Sequence, residues 1–195
     1  MKRLFRLALF AAAASILAAC SSVPLTTPAP APTSTPSAGG QAYKGKYYLD
    51  DGPLKGVTQE MIYAIPEPVP QREKLSKWAM KPYSRLGNDY VPMTSLSPYK
   101  EQGVGSWYGT RYHGQKGAIG EVYDMLKLTA AHPTLPLPSF ARVTNLENGK
   151  SIIVRVNDRG PFLSNRIIDL SYAAAARLGY AQKGSARVEV ELLIP

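Results

Sequence analysis

The feature that most constrains this chain is a period of two near its end. Within 186–194, Val188, Val190 and Leu192 alternate with Arg187, Glu189 and Glu191. Successive strand residues point to opposite faces, so the segment reads as a strand with one face buried and one in water. Five other short apolar or β-branched runs precede it, at 104–108, 126–131, 140–145, 151–157 and 166–170, with turn residues between them. Six strands within the 95 residues of 101–195 predict a mainly β domain, a sandwich or a barrel. Asn148-Gly149, between two β-branched runs, predicts a tight hairpin turn, since both residues tolerate positive φ. One short helix is expected over 172–178, capped by Ser171, rich in alanine and closed by Gly179.

The other end of the chain speaks to location. Lys2, Arg3 and Arg6 precede a 13-residue stretch, 7–19, apolar but for Ser15, which fits a secretory leader. The run is short of the about 20 residues that a spanning helix needs, and it ends at Leu17-Ala18-Ala19-Cys20, which resembles a bacterial lipobox. The expectation is cleavage of 1–19, lipid attachment at Cys20 and a membrane anchor through its acyl chains. Ser21 after the cysteine, by resemblance to enterobacterial sorting, favours the outer membrane with the folded part facing the periplasm. Cys20 is the only cysteine, so no intrachain disulfide can form and the fold must hold by its core. Residues 20–40 are rich in Pro, Thr, Ser and Ala and are expected to be a disordered tether.

Without 1–19 the chain carries 20 basic and 14 acidic residues, spread so that 20–100 and 101–195 each hold an excess of three positive charges. No basic stripe is present, which argues against nucleic-acid binding. With two histidines and no ligand-like spacing, no metal site is expected. Residues 41–100 contain seven tyrosines (43, 47, 48, 63, 83, 90, 99) and many prolines without a sustained period, and are expected to form an irregular extension packed on the domain at 101–195.

The runs GVGSWYG (103–109), His113-Gly114, GEVYDM (120–125), LTAAHPTLPLPS (128–139), RVTNLENGKSIIVRVNDRGPF (142–162) and RIIDLSYAAAARLG (166–179) together resemble the rare lipoprotein A (RlpA) family. Tyr47-Tyr48-Leu49-Asp50-Asp51-Gly52-Pro53 is similar to an extension seen in some members. The resemblance implies a six-stranded double-psi β-barrel and an endolytic lytic transglycosylase acting on peptidoglycan glycan strands without stem peptides. Such an enzyme cuts the MurNAc-GlcNAc β-1,4 bond, leaves 1,6-anhydro-MurNAc ends, needs no cofactor and works beside cell-division proteins. A non-catalytic glycan-binding envelope lipoprotein is the competing expectation. The last strand is followed directly by Pro195, which leaves no room for the C-terminal SPOR domain of many relatives, so this sequence gives no ground for assuming septal targeting.

That chemistry asks for a carboxylic acid to protonate a poor leaving-group oxygen, while the sugar's own 6-hydroxyl serves as nucleophile. Asp158, at the end of an apolar strand and before Arg159-Gly160-Pro161, either presents its side chain to a cleft or braces the turn. The resemblance makes it the catalytic aspartate and adds Glu121 as a second acid or a substrate-positioning carboxylate; His132 either donates to a sugar hydroxyl or tunes a carboxylate, or is a structural histidine bonded to its loop. Trp107, Tyr108, His113, Arg159 and Asp169 are candidate substrate-binding residues. From the residues alone, however, Trp107 and Tyr108 equally suit a core, His113 a loop, and Asp169 a helix start. Where many members read Thr-Ala-Asn-Gly-Glu or Thr-Ser-Ser-Gly-Glu, this chain has Gly117-Ala118-Ile119-Gly120-Glu121, so two polar side chains and their hydrogen bonds are expected to be missing.

Overall fold

Alternation decides which face of each strand is inside, and the faces close on one another. A computed structural model describes residues 51–163 and 165–195; the leader, Cys20 and the tether lie outside the described residues. In chain order the elements are α1 (Gln59–Ala64), β1 (Tyr83–Arg85), β2 (Asn88–Tyr90), β3 (Lys100–Tyr108), β4 (Thr129–Ala131), β5 (Ser139–Asn145), β6 (Ser151–Asp158), β7 (Arg166–Ser171), α2 (Tyr172–Arg177) and β8 (Ala186–Leu193). β1 and β2 pair as a hairpin, and the other six strands form a closed barrel in the order β3-β7-β4-β6-β5-β8. β3/β7 and β4/β6 pair in parallel, whereas the other neighbours run antiparallel. This mixed closed barrel is the double-psi architecture, and closure leaves no barrel strand with a free edge.

Val188, Val190 and Leu192 of β8 face the interior with Val154 and Val156 of β6 and Leu170 of β7. Each fully buried side chain of this kind contributes about 1.5–3 kcal/mol. Ser171 caps α2, accepting a hydrogen bond from the Ala174 N–H, and Gly179 has φ +83° just beyond its end.

Three expectations need correction. The strand expected at 126–131 is confined to Thr129–Ala131, because Asp124 folds the preceding residues into a turn: its side chain accepts from Leu126 N–H and its carbonyl from Lys127 N–H. The β5–β6 connection is a five-residue loop, 146–150, rather than a tight Asn-Gly turn. Gly149 alone takes positive φ there, while the Asn148 side chain donates to the Leu178 carbonyl. The described part of the extension is also less irregular than expected. It holds α1, capped by Thr58, and the β1–β2 hairpin, so the described residues contain two short helices rather than one.

The extension is fastened by buried polar bonds. The Asp51 carboxylate accepts N–H bonds from Gly52, Gly109 and Arg111, at 2.9, 2.8 and 2.9 Å. Gly109 is required here, since a Cβ would lie 2.3 Å from the Gly52 carbonyl oxygen. Further along, Ser76 N–H donates to Leu137 O, Met93 N–H to Thr134 O and the Tyr83 hydroxyl to Pro133 O. The two-residue turn of the hairpin, Leu86-Gly87, has φ of +49° and +78°. Positive φ at both positions is what a type I′ turn demands; for leucine that backbone costs about 1 kcal/mol.

Asp51→Ala would leave three N–H groups without their acceptor. It is expected to lower the unfolding free energy by about 3 kcal/mol in urea titrations.

Candidate active site

Strand register brings two acids together. Ala131 of β4 is paired with Asp158 of β6 on one side and with Asp169 of β7 on the other. Cross-strand partners share a face, and two strand spacings separate the aspartate backbones by about 10 Å. Both residues line a single cavity of about 340 Å³, together with Asp51, Tyr108, Tyr112, Arg159, Arg166 and the 160–163 segment, among others.

The two carboxyls are held differently. Asp158 Oδ1 accepts from the Ala118 N–H at 2.7 Å and from the Arg159 N–H at 2.8 Å. Burial raises its pKa above the usual aspartate value, and these two N–H groups oppose the rise. Asp169 lies deeper. Its Oδ2 is 3.1 Å from Nη2 of Arg166, while Oδ1 has no hydrogen-bond partner among the described residues. Burial pushes it up to about 6, against the pull of Arg166. Burial, aided by the charges of both aspartates, also drives the Tyr108 phenol well above its ordinary pKa, so it stays neutral in the cavity wall.

Gly117 accounts for the close approach to Asp158. A Cβ at this position would stand 2.9–3.0 Å from the carboxylate atoms, so the absent side chain is what lets the loop backbone, and the Ala118 N–H, reach Asp158. A main-chain donor thus occupies the space where a side chain would be, and Ile119 packs against the core.

The structure does not bring every expected residue to this cavity. Glu121 lies on the outer side of β6, where its carboxylate receives two hydrogen bonds from the Arg155 guanidinium, at 2.6 and 2.9 Å, and one from Asn157 at 3.0 Å. Hydrogen bonding to Arg155 holds Glu121 below the usual glutamate range. Arg155 also grips Glu73 of the extension through two bonds of 2.7 Å. His132 is 1% exposed; its Nδ1 accepts from Thr134 and Leu135 N–H, and its Nε2 is 3.0 Å from the Tyr99 hydroxyl. Burial pushes His132 down to about 3, leaving it neutral at working pH.

Arg159 lines the cavity, but its guanidinium donates to the carbonyls of Ala79, His132 and Leu135. Trp107 and Tyr108 belong to both core and cavity wall; the Trp107 indole N–H donates to Ala181 O and Tyr108 stacks on Tyr123 at 4.0 Å. His113 accepts from Met125 N–H outside the cavity lining. Sequence reasoning overlooked Asp51, Tyr112 and Arg166 as cavity residues. The Arg166-x-x-Asp169 spacing on one strand was the available signal for the last of them. Among the described residues no cluster of His, Cys, Asp or Glu is suited to hold a metal ion.

The lytic transglycolase family profile matches residues 100–190, the stretch that holds most of the closed barrel. Curated relatives extend the match. The chain is 58% identical over 134 residues to "Endolytic peptidoglycan transglycosylase RlpA" of Pseudomonas aeruginosa, covering 69% of this chain and 39% of that one. It is 49% identical to the protein of that name from Neisseria meningitidis serogroup B, over 71% of this chain and 58% of that one. Against the Vibrio cholerae protein it is 44% identical over 80% of this chain and 59% of the other. The chain belongs to the RlpA family, and it spans between 39% and 59% of the length of these relatives.

The Asp169 carboxyl has a consequence for stability. A carboxyl with a raised folded pKa favours the fold while protonated, so its contribution is complete below about 3.8 and lost as pH rises through about 6. Asp169→Asn cannot ionise. Between pH 4 and pH 7.5 its stability relative to wild type is expected to improve by about 2 kcal/mol in chemical denaturation.

Proposed function

We propose that this chain is an endolytic peptidoglycan lytic transglycosylase, cutting the MurNAc-GlcNAc β-1,4 bond of glycan strands without stem peptides and leaving 1,6-anhydro-MurNAc ends. The observation that carries the reading is the pair Asp158 and Asp169, buried in one cavity and both shifted toward the protonated form. The names of the RlpA relatives support the activity and the substrate.

The pair divides the work by environment. Asp169, raised to about 6 by burial, is the proton donor. It delivers its proton to the glycosidic oxygen as the C1–O bond breaks. The MurNAc 6-hydroxyl then attacks C1, and its proton returns to the Asp169 carboxylate, so the acid is regenerated and no water is consumed. Asp158, fixed by two N–H bonds, faces the positive charge that develops at C1 and stabilises it. Tyr108 packs in the cavity wall beside the pair, its hydroxyl buried. Glu121 and His132 act from outside the cleft: the first holds the 117–121 loop to Arg155, and the second orders the 132–135 turn.

Cleavage at Ala19-Cys20, lipidation of Cys20 and an outer-membrane anchor facing the periplasm are supported by the 13-residue, mostly apolar stretch, the lipobox-like end and Ser21. Radiolabelled palmitate is expected to label the wild-type chain and not Cys20→Ala.

Incubation of the lipid-free chain with peptide-free glycan strands is expected to give anhydromuramyl ends by mass spectrometry. Reducing ends would indicate hydrolysis, and intact strands that sediment with the protein would indicate a binder. Asp158→Asn and Asp169→Asn should each lower kcat by about 10²–10⁴-fold. With Asp169 as the donor, kcat/KM falls as pH rises past about 6.

A further inference from the structure

We infer that Leu86, at the tip of the β1–β2 hairpin, is a substrate-reading residue: with Phe162 and Leu163 it forms an apolar subsite for the acetamido methyl or C–H face of an N-acetylated sugar. The inference rests on the reading of the cleft as a glycan site and names a determinant outside the barrel.

Leucine is a poor choice for this position on two counts. The turn needs positive φ, which Asn or Gly adopts readily and leucine does not. The side chain is also 66% exposed at the end of a hairpin. A residue that satisfies neither backbone nor burial, yet lines the cavity of Asp158 and Asp169, is placed for what enters that cavity.

The hairpin is anchored where it stands. Tyr83 and Tyr90 stack at 5.0 Å, both meet the Phe162 ring edge-on at 6.1 and 5.8 Å, and the Tyr83 hydroxyl donates to the Pro133 carbonyl. Phe162 and Leu163 follow Asp158 by four and five positions and line the same cavity, and Leu163 is 40% exposed. The cleft therefore has a carboxylate floor and an apolar edge. An N-acetylated pyranose has matching parts: hydroxyls and a glycosidic oxygen for the acids, a methyl and C–H faces for Leu86 and Phe162.

Leu86→Asn separates this role from a structural one, because asparagine suits the turn better than leucine. The melting temperature of the variant is expected to equal or exceed that of wild type. Its KM for peptide-free glycan strands should rise by about three- to tenfold as the apolar contact is lost, with kcat within about twofold, the pattern of lost uniform binding. Leu86→Met, which keeps an apolar chain, should hold KM within about twofold of wild type.

An unchanged KM in Leu86→Asn, while wild type cleaves, overturns the subsite alone. A fall in kcat together with a fall in melting temperature also overturns it, since Leu86 would then be structural. Wild-type protein that neither cleaves nor sediments with the strands overturns the glycan reading and the subsite with it.

Discussion

The site depends on the register of three neighbouring strands. Ala131 sits between Asp158 and Asp169, and its methyl side chain leaves the space between them open. The mixed pairing that closes the barrel is therefore also what sets two acids on one face, about two strand spacings apart. Each acid alone would be a strand-end residue or a helix-start residue. Placed together in a cavity that excludes much of the solvent, they become a pair whose protonation is tuned by depth and by what each accepts.

Much of the remaining polar structure holds that pair in place. The Arg159 side chain ties the extension, through Ala79, to the 132–135 turn, and its main-chain N–H steadies Asp158. Arg155 joins Glu73 of the extension to Glu121 of the loop that reaches Asp158 through Ala118. Asp51 fixes the 109–111 backbone beside the cavity. The extension thus reaches the site by several routes, and its hairpin supplies part of the cavity wall through Leu86.

The barrel was legible because its information is local. Alternation in 186–193 and the capped alanine run at 172–177 each declare an element within a few residues. The β1–β2 hairpin was missed because it carries Leu-Gly where Asn-Gly would announce a turn, and because its support comes from Phe162 and Pro133, far along the chain. The candidate acid Asp158 was found by motif. For Asp169 the local sequence points only to a binding residue or a helper at the helix start, since only three-dimensional pairing sets it across from Ala131. The partners that fix the Glu121 carboxylate, Arg155 and Asn157, lie 34 and 36 residues on, and nothing in its local motif announces them.

The central claim is that burial raises Asp169 so that half of it is still protonated at about pH 6. A carbon-13 NMR titration of the aspartate side-chain carboxyls, with Asp169 assigned through its Asn variant, reads this without substrate. The account predicts a midpoint near 6 for Asp169; a midpoint at or below the ordinary aspartate value of about 3.9 would contradict it.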